Sequence, residues 1–183
     1  PRDTPLRRIK RIPSFYVAAA MTATTPDRVR GITSVIAVLK EFGTVASEHV
    51  GTEDPIRFER EEAMKGVNVY ARDFKGLDSS IAVIADISIP TTGGGAEIDY
   101  AVRAGIPTLV TYDATCRGSL YITQWPLAPG NPPNLTVQTY ESFEHQGNII
   151  RDFAKQVLVD NPSLPGGYVV IEGGEGSGKT IQR

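Results

Sequence analysis

Cysteine is almost absent from this chain: Cys116 stands alone, so no internal disulfide can hold the fold. Histidine is nearly as scarce. His49 and His145 are the only two, and with a single thiol they offer no metal-ligand spacing, so no metal site is expected. Charge imbalance is missing as well. A net −2 over 183 residues gives no electrostatic reason to expect nucleic acid as a partner. Apolar runs such as "IAVIADI" fall far short of the ~20 residues that span a membrane. The opening residues show no charged, apolar and small-residue succession of a secretory leader. These absences lead to the expectation of a cytoplasmic, metal-free protein with no membrane partner. With 40% apolar residues, the chain has material for one sizeable core.

Strand-like and helix-like stretches alternate along the chain. Residues 1–13, "PRDTPLRRIKRIP", read as a flexible basic lead-in. "SFYVAAA" reads as a buried strand. A helix follows from about Pro26, with Val29, Ile32, Val35, Ile36 and Leu39 at helical spacing and Gly43 closing it. "TVASEHV" reads as a second strand, and "PIRFEREEAMKGVNVYARDFKGLDSS" as mainly helical with Gly66 a weak point. "IAVIADIS" is apolar enough for burial on both faces. Then come a glycine-rich turn, a helix over 96–104, the strand "IPTLVTYD", a Pro/Gly-rich loop, the strand "LTVQTY" and an amphipathic helix in "FEHQGNIIRDFAKQVLVD". This alternation predicts an α/β fold, a flavodoxin-like or Rossmann-like three-layer sandwich with a five-stranded parallel sheet. Residues 14–160 form the expected domain. Ligands of such sheets bind beyond the carboxyl ends of the strands, which places the loops after Ala18, Glu48, Asp86 and Tyr112 around one cleft.

Residues 161–167 read as a linker, and a further unit is expected to begin at 168. Within "YVVIEGGEGSGKTIQR", Gly173, Gly178, Lys179 and Thr180 match a phosphate-binding loop that follows an apolar strand. The stretch resembles the opening of a bacterial-type thymidylate kinase. Only three residues follow Thr180, so the helix that presents its positive end to a phosphate has no room. The expectation is the truncated start of a kinase-like domain, with ATP and magnesium relevant only if the rest of that domain were present. No kinase activity is expected of this chain.

The stretch "ISIPTTGGGAEIDYAVRAGIPT" sets a carboxylate, Glu97, just past three glycines. An acid in a helix's first turn can simply complement the dipole. It can also be a reacting group. Several other candidates converge on the same predicted cleft: Asp73 in the lead-up to the central strand, Asp86 at that strand's end, and Glu48 and His49 in "SEHV". Titratable groups gathered in one cleft are how an active site is recognised.

The order of these elements from Phe15 to about Ile122 resembles the nucleoside 2-deoxyribosyltransferase superfamily, and within it the 2′-deoxynucleoside 5′-phosphate N-hydrolases. The likeness is carried by an aromatic opening strand, "GTVASEHV", "RDFKGLDSSIAVIADISIP" and "GGGAEIDYAVRAGIPTLVTY". It implies that Glu97 is a nucleophile that attacks the anomeric carbon, with Asp73 helping to protonate or hold the leaving base. Thr91, Gly93 and Gly95 would border the sugar. Ser119 would contact a 5′-phosphate across the interface of a homodimer. The resemblance places Phe15 at the position of the family's catalytic tyrosine, with Tyr16 one residue along and therefore on the opposite face of the strand. The first loop, "AAAMTATTPDR", lacks the family's glycine-rich, arginine-bearing cradle, leaving Thr22, Thr24, Thr25 and Arg28 as substitute donors.

The implied reaction is hydrolysis of the N-glycosidic bond of a 2′-deoxyribonucleoside 5′-monophosphate, without cofactor, on a small-molecule nucleotide. Two alternatives stay open: transfer of deoxyribose between bases, and a non-catalytic nucleotide-binding domain that regulates an attached kinase. The turn "PTTGGGAEI" also resembles the loop of cytokinin-releasing phosphoribohydrolases, although its spacing and the upstream "SEHV" favour the first family.

Overall fold

The structure is a computed structural model that describes residues 12–22 and 25–161. Most of the basic lead-in and of the linker, Thr24, and the whole phosphate-loop segment with Gly173, Gly178, Lys179 and Thr180 lie outside the described residues.

Five strands form one all-parallel sheet in the order β2-β1-β3-β4-β5. They are β1 (Ser14–Ala19), β2 (Thr44–Val45), β3 (Ala82–Asp86), β4 (Thr108–Asp113) and β5 (Leu135–Tyr140). The helices between them are α1 (Pro26–Lys40), α2 (Pro55–Met64), α3 (Val69–Asp78), α4 (Thr92–Arg103), the short α5 (Leu120–Thr123) and α6 (Phe143–Asp160). This is the flavodoxin-like α/β sandwich that the alternation of elements predicts.

The period of two along β1 divides the core between the layers. Phe15 and Val17 pack with Ile32, Val35 and Leu39 of α1 and Ile150 and Ala154 of α6. Tyr16 and Ala18 point to the other face, against Leu77 of α3 and Ile98 and Ala101 of α4. Burying an aromatic or aliphatic side chain in this way contributes about 1.5–3 kcal/mol each, and these two layers hold the sheet. Among the described residues no helix is long and apolar enough to cross a membrane.

Two boundaries differ from the sequence reading, and a third falls at the weak point it expected. The second strand ends at Val45. Ser47 then lends its hydroxyl to β1, where Oγ accepts from the Val17 amide at 2.8 Å and donates to the Val17 carbonyl at 2.9 Å. A side chain thus replaces the ladder, and residues Glu48–Gly51 curl into a 3-10 turn. The acidic segment breaks in two at Gly66, whose φ of +83° is left-handed and suits glycine. Finally, α4 begins at Thr92, not Ala96. Thr91 caps it by accepting from the Gly94 amide at 3.0 Å, so the glycines form the helix's first turn instead of a loop before it.

Candidate active site

That early start bears on the dipole reading of Glu97. The helix carries no acid in its first turn, because Glu97 falls in the second. Dipole complementation fades beyond the first turn, so it does not account for this carboxylate. Instead, Glu97 faces the sheet and accepts a hydrogen bond from the Tyr16 hydroxyl at 2.7 Å, joining α4 to β1. Tyr16 reaches it because Gly76 of α3 leaves room: a Cβ there would lie 3.1 Å from the tyrosine ring.

Burial is the main influence on the pair. It pushes the Glu97 carboxyl up to about 7, assisted by the nearby Asp73 and Glu59, while the Tyr16 hydroxyl and Arg72 pull the other way. Burial, followed by the Glu97 charge, pushes the Tyr16 phenol well above its ordinary value. The phenol therefore stays a donor, and Glu97 titrates near neutrality, the range suited to a reacting acid or base.

Asp73 projects from α3 into the same neighbourhood, and its Oδ1 accepts from Arg72 Nε at 2.9 Å. Arg72 also donates from Nη2 to Glu59 of α2 at 3.0 Å. The same nitrogen lies 3.0 Å from His49 Nε2. His49 stacks on Phe58 with ring centroids 5.2 Å apart, and burial, then the Arg72 charge, hold it below its ordinary value. It is a neutral acceptor at the rim of this cluster.

Alongside the cluster, a cavity of about 180 Å³ opens at the amino end of α4. Thr91, Gly94, Gly95, Ser119 and Tyr121 line it, with Asp86 at its edge. Glu97 lies one turn further along the helix. No side chain stands over Gly93 or Gly95: a Cβ at either would meet nothing within 4 Å. The Gly94 amide is taken by Thr91 Oγ1 and the Gly95 amide by the Thr91 carbonyl, so what this 12-residue helix offers the largely apolar cavity is the positive end of its dipole.

Two expected cleft residues are placed otherwise, and a third, Asp86, lines the cavity with its oxygens engaged. Phe15 is fully buried against α1 and α6 on the opposite face of the sheet from Glu97, so Tyr16 is the aromatic residue that meets the carboxylate. Glu48 is half exposed and pairs with Lys40, the last residue of α1, at 2.7 Å, away from Glu97. Its 3-10 turn directs it there. Asp86 is at the end of β3 as expected, but its oxygens are occupied. Oδ1 accepts from the Ser88 amide at 2.8 Å. Oδ2 accepts from Tyr140 at 2.8 Å and from Gln146 at 2.9 Å.

Arg28, a substitute phosphate donor on the sequence reading, is similarly engaged. It donates to Tyr140 at 3.0 Å, to Cys116 Sγ at 3.1 Å and to Asp113 at 3.3 Å. Thr25 caps α1 by accepting from the Arg28 amide. The sequence reading missed Glu59 and Gly76 and passed over Arg72. Adjacency to Asp73 was the one available signal for Arg72. The pairing of Tyr140 and Gln146 with Asp86 joins residues more than 50 positions apart and left no local trace. Among the described residues no group of His, Cys, Asp or Glu is arranged to hold a metal.

No family model matches the chain. Three curated relatives share the printed name "Putative 2'-deoxynucleoside 5'-phosphate N-hydrolase 1". The chain is 35% identical over 119 residues to the one from Methanosarcina mazei, covering 64% of this chain and 69% of the relative. It is 37% identical over 117 residues to that from Methanosarcina barkeri, covering 63% and 69%. To the one from Syntrophotalea carbinolica it is 29% identical over 119 residues, covering 64% and 78%.

Proposed function

Because the chain belongs to the family of the 2′-deoxynucleoside 5′-phosphate N-hydrolases, we propose that it hydrolyses the N-glycosidic bond of 2′-deoxyribonucleoside 5′-monophosphates, with Glu97 as the nucleophile. The observation that carries this reading is the Tyr16–Glu97 pair: a half-buried carboxylate on α4, held at 2.7 Å by a phenol and beside a second acid, Asp73.

In the proposed reaction the ionised Glu97 attacks C1′ of the sugar. The C1′–N bond breaks, the base leaves with the electron pair, and Asp73 holds or protonates it. A deoxyribosyl ester of Glu97 results. Water then adds at C1′, releases deoxyribose 5-phosphate and returns the carboxylate. This is the two-step, retaining logic of glycosidases. Tyr16 holds Glu97 in its attacking orientation, and the missing 2′-hydroxyl of a deoxy sugar lowers the cost of positive charge at C1′. The 5′-phosphate is assigned to the amino end of α4, where Thr91 and Ser119 border the cavity and the helix dipole favours negative charge. Arg28 is left out of that role because Tyr140, Asp113 and Cys116 hold its guanidinium.

Base release tests the reading. The protein is incubated with each deoxyribonucleoside 5′-monophosphate and its ribo counterpart, beside Glu97→Ala. Base is expected from deoxy substrates alone, and Glu97→Ala should lose at least about 10³-fold in rate, as removal of a nucleophile does. Saturable binding without base release would mean a binding domain. A labelled second base that appears in new nucleotide faster than water traps the sugar would mean a transferase.

A further inference from the structure

The residue around which the acids gather is a cation that the proposed chemistry does not use. We propose that Arg72 is a positioning residue of this active site: it fixes Asp73 for the leaving base and offsets the carboxylates collected at Glu97, without touching substrate. The inference rests on Glu97 being the reacting carboxylate.

The geometry supports it from three directions. Arg72 Nε holds Asp73 at 2.9 Å, while Nη2 reaches Glu59 at 3.0 Å and His49 at 3.0 Å, so one planar group links α3, α2 and the 3-10 turn after β2. Its carbon lies 5.9 Å from the centroid of Phe58, which restricts the plane further. The groups that act on Glu97 are Tyr16 from β1, Asp73 and Arg72 from α3, and Glu59 from α2. Arg72 is the one cation among these, against three carboxylates including Glu97 itself. An arginine fork suits this task because it presents donors at fixed angles, which a lysine ammonium does not.

The orphaned nitrogen bears on the alternative. Arg72 Nη1 is buried and has no acceptor among the described residues. A buried donor without a partner costs stability. A residue that served only to tie the fold together would, on replacement by lysine, cost stability and leave kcat unchanged, because lysine keeps the charge but loses the fork. A positioning role requires the fork.

One arm of the test reads Glu97 directly and does not depend on turnover; the other reads kcat. Glutamate carboxyl carbons are labelled with carbon-13, Glu97→Gln assigns the signal, and the titration midpoint is followed by NMR. Arg72→Gln is expected to move the midpoint up and Glu59→Gln to move it down, each beyond the error of the titration. Arg72→Lys is expected to leave the midpoint near that of the parent protein. Its kcat should nevertheless fall by about tenfold or more with KM within about twofold, the signature of a misplaced catalytic group. Arg72→Lys also keeps the question open if Arg72→Gln does not fold. An unmoved midpoint in Arg72→Gln, or a parental kcat in Arg72→Lys, overturns the proposal. Absence of base release from the parent protein would instead remove the hydrolase reading, and the NMR midpoints would still decide whether Arg72 acts on Glu97.

Discussion

The proposed reaction turns on the single proton of Glu97. Its carboxyl titrates near 7 because burial, more than any neighbouring charge, disfavours the ionised form. A nucleophile must be ionised, so kcat/KM is expected to fall tenfold per unit below about pH 7, a limb that a pH–rate profile would show. The same proton has a stability consequence of definite sign. The folded-state value lies above the ordinary carboxylate value of 4.5, so between those two pH values the unfolded chain gives up its proton first. Stability therefore decreases as pH rises through that window, and the cost is complete above 7. Glu97→Gln removes the charge. It should stabilise the protein by up to about 3 kcal/mol at pH 8 and by almost nothing at pH 4.5, measured by urea unfolding at both. At this scale the sequence shows which residue types matter but not which of two neighbours faces the site. Phe15 and Tyr16 differ by one position on a strand, and one position reverses the face. Only the packing of Phe15 against α1 and α6 settles that Tyr16 meets Glu97.

Elements were legible in proportion to how far their signals are local. β5 and α6 carry their own periodicity and turn residues, and both end where those signals end. The glycines of α4 misled because triple glycine argues for a turn; a threonine cap and the packing of Ile98 and Ala101 outweigh their poor helix propensity of about 1 kcal/mol each. The second strand misled because a serine side chain from beyond it completes the hydrogen bonds of β1. Asp86 shows the same limit. Its place at the end of β3 was legible, whereas its partners come from β5 and α6. Those partners give it a structural role beside its place in the cavity wall. With three donors on its two oxygens, it ties the loop that leads to α4 to Tyr140 and Gln146. Asp86→Asn turns an amide NH2 toward donors and leaves one of them unpaired, a loss of about 1–3 kcal/mol. The expected result is a Tm lower by about 2–4 °C per kcal/mol, with KM for substrate little changed. A large rise in KM at parental Tm would instead return Asp86 to the binding site.

Assembly is the property of the whole molecule that the family likeness makes an expectation, and the surface gives a place to test it. Leu120 and Tyr121 are each 71% exposed and Leu127 is 82% exposed, on consecutive turns from α5 onward. Scattered apolar side chains on a surface need no explanation, but a contiguous group is characteristic of a contact. Ser119 immediately precedes this group, yet it already lines the cavity of its own chain. The two halves of the expectation therefore separate: a homodimer that buries Leu120 and Leu127, and a phosphate contact that Ser119 makes within its own subunit. Sedimentation at assay concentration is expected to give a dimer, and Leu120→Asp with Leu127→Asp a monomer. Mixing Glu97→Ala with Ser119→Ala, after dissociation and reassociation, then asks where the serine acts. In a twofold dimer, a serine that served the neighbouring site would leave one intact site in each mixed pair and restore about a quarter of parental activity. A serine that serves its own site leaves every site with one lesion, so the mixture should remain no more active than the two variants alone.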